Sequence, residues 1–207
     1  MIEMRKIFLF DLDSTVTKEE ILPVIASELG KGDEMRALTE SAMMGEMPFC
    51  ESLLARVEML KGTSVGEMSK RIAEISLNEK IVRFIKKNRD NCYIATSNLD
   101  VWIKDLMNKI GVGDHVFCST TKVENDRIVK VGRVFLKDKA TEEFSGMKLI
   151  AIGDGSNDYD LIGGADLGIA FGGVRSVAPN LFEICDYAIY DEDKLIELLE
   201  KIEEEDD

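Results

Sequence analysis

Short, uninterrupted apolar runs alternate along this chain with longer segments whose apolar residues recur at helical spacing. Ile7-Phe8-Leu9-Phe10, Cys92-Tyr93-Ile94-Ala95 and Leu149-Ile150-Ala151-Ile152 are too short for helices and have no polar face. Such runs predict strands buried on both sides, the habit of a parallel sheet. Later strands are predicted at 166–170 and 186–190, a short one at 116–118, and a β-hairpin over 121–135 that turns at Glu124-Asn125-Asp126. Helical patterns fill the intervals at 78–89, at 101–110 with Gly111 as its stop, near 141–144, and at 193–202.

Residues 18–76 break this alternation. Four helical segments, 20–30, 33–44, 48–60 and 64–75, follow one another with no strand between them, separated by Gly30-Lys31-Gly32, by Gly45 to Pro48, and by Gly62-Thr63. The expectation is an α/β protein: a doubly wound, Rossmann-like parallel sheet built from 1–16 and 77–207, with a small helical-bundle cap, 17–76, inserted after the first strand. Six of the ten methionines fall in that insert: Met35, Met43, Met44, Met47, Met59 and Met68. Flexible thioethers suit a surface that closes over a ligand, and ordinary bundle core accounts for them equally well.

Composition narrows the function. The chain has 207 residues, 45% of them hydrophobic, and a net charge of -14 from 40 acidic and 26 basic residues. That balance argues against nucleic acid or an anionic membrane as partner. The four cysteines are scattered without a C-x-x-C, as in a reduced cytoplasmic protein, and no leader or membrane-spanning run is evident. His115 is the single histidine, so a histidine triad would have to run through it.

Chemistry gathers at the carboxyl ends of the strands, where open α/β sheets bind ligands. The first strand runs into Asp11-Leu12-Asp13-Ser14-Thr15, the second into Ser97-Asn98, and the third into Gly153-Asp154-Gly155-Ser156-Asn157-Asp158. Four carboxylates on one sheet edge repel one another unless a cation joins them, and an all-oxygen set without histidine or paired cysteine suits Mg2+. Lys137 or Lys139, the Ser97 hydroxyl and the backbone N–H groups of Asn98 and Leu99 at a predicted helix start would add an anion site. Together they fit a phosphoryl group, with Asp11 as nucleophile and Asp13 as acid and base.

These residues bring the chain to a family. D-x-D-x-T at Asp11 to Thr15 and G-D-G-x-N-D at Gly153 to Asp158 resemble the two acidic motifs of the haloacid dehalogenase superfamily, and the insert resembles its C1-type helical cap. Glu20, the stretch Met43-x-Gly45-x-x-x-Phe49-x-x-Ser52-Leu53-x-x-Arg56-Val57 and a lysine before the last acidic strand resemble the phosphoserine phosphatase branch. The resemblance implies a Mg2+-dependent phosphatase that hydrolyses a small phosphorylated metabolite, phosphoserine first, through an aspartyl-phosphate. It implies that Asp11, the Asp13 carbonyl and Asp154 hold the metal with Asp158 in support. Ser97, Asn157 and Lys139 would hold the phosphoryl group, with the side chain of Asn98 a further candidate. Glu20 and Arg56 would hold the amine and carboxylate of the substrate, with Met43 and Phe49 covering it. Where that branch carries Ser-Gly-Gly, this chain has Ser97-Asn98-Leu99. Transfer of the phosphoryl group to an alcohol such as homoserine, a receiver-like phospho-acceptor role, and the oligomeric state stay open at this point.

Overall fold

The computed structural model describes residues 4–43 and 46–205. A seven-stranded sheet forms its centre, in the order β4-β3-β2-β1-β5-β6-β7. Its strands are β1 (Lys6–Phe10), β2 (Cys92–Leu99), β3 (Val116–Glu124), β4 (Arg127–Arg133), β5 (Lys148–Gly153), β6 (Leu167–Phe171) and β7 (Tyr187–Ile189). All neighbours pair in parallel except β3 with β4, which pair antiparallel.

The central strand β1 shows why the apolar runs carry no alternation. Phe8 and Phe10 belong to one core cluster, with Ile94, Ile150, Ile152 and Trp102, whereas Ile7 and Leu9 belong to another, with Ala95, Ala151, Leu161 and Leu181. Successive side chains point to opposite faces, and both faces are covered, so every position must be apolar. Phe84 packs edge-on against both Phe8 and Phe10. His115 stacks on Tyr93, 4.3 Å between centroids, and its Nδ1 lies against the carbonyls of Arg89 and Cys92, which is a structural placement.

Four helices follow β1 in the chain before the sheet resumes: α1 (Ile21–Glu28), α2 (Gly32–Met43), α3 (Phe49–Leu60) and α4 (Val65–Ile72). Their apolar faces share the larger core cluster, and Met35 and Met68 are ordinary members of it. An isolated antiparallel bridge, Thr17 with Leu77, joins the chain entering these helices to the chain leaving them. Beyond them come α5 (Glu79–Lys87), α6 (Asp100–Ile110), α7 (Asp138–Glu142), α8 (Tyr159–Gly163) and α9 (Glu192–Glu204).

Three expectations are corrected here. The short strand at 116–118 and the first arm of the hairpin are one continuous strand, β3, whose polar second half extends past the sheet as an exposed ribbon. The hairpin turns on Asn125 and Asp126 alone, with φ of 49° and 59°, the left-handed pair that a two-residue turn between twisted strands requires. The helix expected near 141–144 starts earlier, at Asp138.

Candidate active site

Four strand ends, two helices and Lys137 build one cavity. It is lined by Asp11, Asp13, Glu20, Leu22, Phe49, Leu53, Arg56, Thr96, Ser97, Asn98, Lys137, Asp154, Gly155, Asn157 and Arg175. Its floor is the carboxyl edge of the sheet, and α1 and α3 contribute Leu22, Phe49, Leu53 and Arg56 from the other side.

Asp11 directly follows β1, and its N–H continues the ladder by donating to the Ile152 carbonyl at 2.8 Å. The loop after it coils tightly: Thr17 N–H donates to the Leu12 carbonyl at 2.9 Å, and Ser14 sits at φ 58°. A serine in that left-handed region is strained, and such strain is concentrated at functional loops. The strained turn is held by Thr17, whose Oγ1 accepts from the Ser14 N–H at 3.1 Å. It turns the Asp13 carboxylate toward α1, where Oδ1 accepts the Ile21 N–H at 2.9 Å and Oδ2 accepts Asn98 Nδ2 at 2.6 Å.

The second motif is aimed by a register shift. Ala95 pairs with Phe117 and Leu99 with Ser119, so four positions of β2 oppose two of β3. Thr96, Ser97 and Asn98 bulge out of the ladder there and face the cavity, the way bulges re-aim side chains beside active sites. Ser97 Oγ donates to the Phe135 carbonyl at 2.9 Å. The expected helix start at Asn98 is corrected: Asn98 and Leu99 still belong to β2, α6 starts at Asp100, and the Asn98 N–H is taken by Thr96 Oγ1 at 3.1 Å. Asn98 Oδ1 is buried with no hydrogen-bond partner.

Behind the cavity lies Asp158, fully buried. Its Oδ2 accepts the N–H groups of Asp154 at 3.1 Å and Gly155 at 2.8 Å, while its Oδ1 accepts Lys137 Nζ at 2.5 Å. Lys137 Nζ also donates to Asp11 Oδ1. Lys139 is corrected accordingly: it is exposed and pairs with Glu142 at 2.6 Å and Asp138 at 3.7 Å. Lys137 caps the start of α7 and Lys139 lies in its first turn, and residues two apart there point to nearly opposite sides.

One carboxylate oxygen each from Asp11, Asp154 and Asp158 lies within 4.8 Å of the others, all three residues buried. Burial first, and then the neighbouring carboxylates, raise the Asp11 pKa well above the ordinary range, against the pull of Lys137. Asp154 is raised to about 8 by burial and Asp158, with Arg175 the leading opposing charge. Asp13 is raised to about 7 by burial and Glu20, against the Ile21 hydrogen bond. This crowding, together with an Asp154 Oδ2 that is buried and receives no aligned hydrogen bond, fits a bound divalent cation. The Asp13 carboxylate lines the cavity but is turned away from this cluster, toward Ile21 and Asn98.

The far end of the cavity is cationic on one wall. Arg56, only 5% exposed, reaches Ser52 O at 3.4 Å and Thr39 Oγ1 at 3.5 Å, and it has no ion pair among the described residues. Its guanidinium lies 5.8 Å from the centre of the Phe49 ring. Burial lowers its pKa against the pull of Asp13 and Glu20. Glu20 Oε1 pairs with Arg175 Nη1 at 2.7 Å, and Arg175 Nε lies 2.7 Å from Asp154 Oδ2. The side chain of Met43 lies outside the described residues, and no described methionine lines the cavity.

Arg175 is what reading the motifs missed, whereas Lys137, offered there beside Lys139, is the lysine that turns inward. Arg175 follows β6 in Gly172-Gly173-Val174-Arg175, and the rule that ligands bind at the carboxyl ends of strands applies to that end too.

The fold and this edge define a class, and the comparisons name it. A haloacid dehalogenase-like hydrolase family model matches residues 8–162, and the chain belongs to that family. Among its relatives, the phosphoserine phosphatase of Archaeoglobus fulgidus is 33% identical over 81% of this chain and 52% of its own length. The chain thus spans about half of that relative. The phosphoserine phosphatase of Streptococcus thermophilus is 31% identical over 98% of this chain and 99% of its own length. A solved structure of a phosphoserine phosphatase as a phospho-aspartyl intermediate analogue superposes with a TM-score of 0.76, at 28% identity, over 96% of this chain and 99% of that one.

Proposed function

We propose that this chain is a phosphomonoester hydrolase that works through an aspartyl-phosphate on Asp11, with Mg2+ as cofactor and phosphoserine as substrate. The observation that carries the reading is the joint geometry of Asp11 and Asp13. Asp11 lies at the cavity floor, its charge shared with Lys137, while Asp13, two residues on, faces the same cavity from the α1 side.

Asp11, the Asp13 carbonyl and Asp154 would hold the cation, which when bound offsets the charge of the phosphoryl oxygens and lowers the barrier to attack. An Asp11 carboxylate oxygen attacks phosphorus, the ester P–O bond breaks, and Asp13 gives its proton to the departing alcohol oxygen. Asp13, now ionised, takes a proton from water as that water attacks the phosphorus of the aspartyl-phosphate, releasing inorganic phosphate and restoring Asp11. Lys137, Ser97 and Asn157 hold the phosphoryl oxygens, with Ser97 exchanging its Phe135 acceptor for one of them. Asn98 is a poorer phosphate ligand than its position suggests, because one of its two amide N–H groups is engaged by Asp13, which fixes the amide's orientation, and its free oxygen is an acceptor. The unpaired guanidinium of Arg56 suits the substrate carboxylate, Glu20 its amine, and Phe49 its cover. Membership in a hydrolase family and a roofed cavity favour this reading over a receiver-like module.

The test is phosphate release with Mg2+ from phosphoserine beside a panel of small phosphomonoesters. Wild type is expected to prefer phosphoserine, Arg56→Ala to lose that preference, and Asp11→Asn to lose turnover while keeping its fold by circular dichroism. A wild type with no preference removes phosphoserine as substrate, and turnover in Asp11→Asn removes Asp11 as nucleophile. Release of a phosphorylated alcohol instead of phosphate when homoserine is added would make the chain a phosphotransferase.

A further inference from the structure

Among the described residues that line the cavity, Arg175 meets a carboxylate at each end of the site. It comes from the loop after β6, and that loop is pinned to the catalytic edge. Ala178 N–H donates to the Asp154 carbonyl at 2.9 Å, and Gly172 N–H donates to the Ile189 carbonyl at 2.7 Å. The guanidinium is therefore presented from a fixed base. One edge, Nη1, makes a 2.7 Å ion pair with Glu20 Oε1. The other, Nε, stands 2.7 Å from Asp154 Oδ2, yet that oxygen receives no aligned hydrogen bond. The two contacts thus differ in kind: the one to Glu20 is a directed charge-assisted hydrogen bond, and the one to Asp154 is proximity of charge.

We propose that Arg175 is a positioning residue that couples the two ends of the site, as the counterion a divalent cation displaces from Asp154 and as the clamp that keeps Glu20 aimed at the substrate amine. The clamp half rests on the phosphoserine reading above; the counterion half does not. A positive charge against a carboxylate opposes a cation seeking that same carboxylate, and the misaligned Nε–H is the weaker of the two holds. When the cation takes Asp154, the guanidinium keeps Glu20. Glu20 also accepts Ser14 Oγ at 3.4 Å, a contact too long to orient it without Arg175.

The first arm uses Mg2+ alone, titrated by calorimetry into the metal-free protein. Arg175→Met is expected to bind Mg2+ about tenfold more tightly than wild type, since a unit charge a few ångströms from the site is removed. Arg175→Lys, which keeps the charge, is expected to stay within about twofold of wild type. Arg175→Gln carries the same expectation as Arg175→Met should the latter fail to fold. Neutral variants that bind Mg2+ no more tightly than wild type would overturn the counterion role.

The second arm compares phosphoserine with phosphooxypropionate, the same molecule without its amine. The ratio of their kcat/KM values is expected to fall about tenfold in both Arg175→Met and Arg175→Lys, mostly through the KM for phosphoserine, because a point charge cannot replace the planar fork. An unchanged ratio would overturn the clamp. If wild type itself shows no preference for the amine, the substrate reading fails with the clamp, and the Mg2+ titration alone decides the counterion role.

Discussion

At Lys137 Nζ one ammonium meets two carboxylates, Asp11 and Asp158, and all three side chains are nearly sealed from water. Burial disfavours the charged lysine, but the two acids outweigh it and hold its pKa above the ordinary value. Removing the ammonium would leave Asp11 and Asp158 facing each other. Lys137→Ala is therefore expected to lower phosphate release at least about a hundredfold, whereas Lys139→Ala, whose partners are at the surface, stays within about twofold of wild type; steady-state assays of both decide which lysine serves the site. Asn98 is the second informative residue. Its amide donor holds Asp13 Oδ2 at 2.6 Å, a bond to an ionisable group worth about 1.5–3 kcal/mol. Asn98→Gly, which restores the residue of the Ser-Gly-Gly pattern, is expected to lower kcat by about tenfold or more with little change in the KM for phosphoserine.

Among the elements, β5 leaves little room where it ends. A Cβ added at Gly153 would lie 2.5 Å from Asp158 Cγ and 2.7 Å from its Oδ2, so a side chain there must push Asp158 off Lys137. Gly153→Ala is expected to cost about 1–3 kcal/mol of stability in urea denaturation, and to lower turnover as well. The hairpin of β3 and β4 shows how an exposed element is used. The Asp126 carboxylate at its tip accepts Ser64 Oγ and the Gly66 N–H, and its carbonyl accepts the Val65 N–H at 3.0 Å. The hairpin thus caps the open N-terminus of α4, the helix that also packs on α6. Asp126→Ala is expected to lower the thermal midpoint by about 2–4 °C, read by circular dichroism, and to leave the sheet intact.

Over the whole molecule, the dominant electrostatic feature is an acidic chain with its most crowded acids at the centre. The net charge is -14, and burial, followed by neighbouring carboxylates, chiefly Asp158 and Glu20, raises the pKa values of Asp11, Asp13 and Asp154. A cation bound there relieves a cost of the folded state that the unfolded chain does not have. Mg2+ at about a hundredfold its dissociation constant adds about 2.7 kcal/mol, or a rise of about 5–10 °C in the thermal midpoint for a chain of this size, and a chelator should reverse it. A melting curve with and without Mg2+ checks this, with no substrate present. No helix among the described residues is long and apolar enough to cross a membrane.

Much of this was legible before any coordinates. The runs at Ile7 to Phe10 and Leu149 to Ile152 could only be strands buried on both faces, and polar clusters at their carboxyl ends had to share an edge. That places Asp11, Asp13, Ser97, Asn98, Asp154 and Asn157 around one cavity and Asp158 behind it. The helical spacing of 20–75 likewise marks the four helices that bring Arg56 and Phe49 over it. Only tertiary structure chose between Lys137 and Lys139, because either lysine could begin a helix and the choice lies in which side of the turn faces Asp11. The same holds for Asn98, whose amide is turned to Asp13 by a bulge between β2 and β3 that local sequence does not encode. Arg175 depends on a loop pinned 155 residues away from Glu20 in the chain. Periodicity and strand ends are local and survive in the sequence; the direction of a side chain across a cavity is set by what packs on its far side.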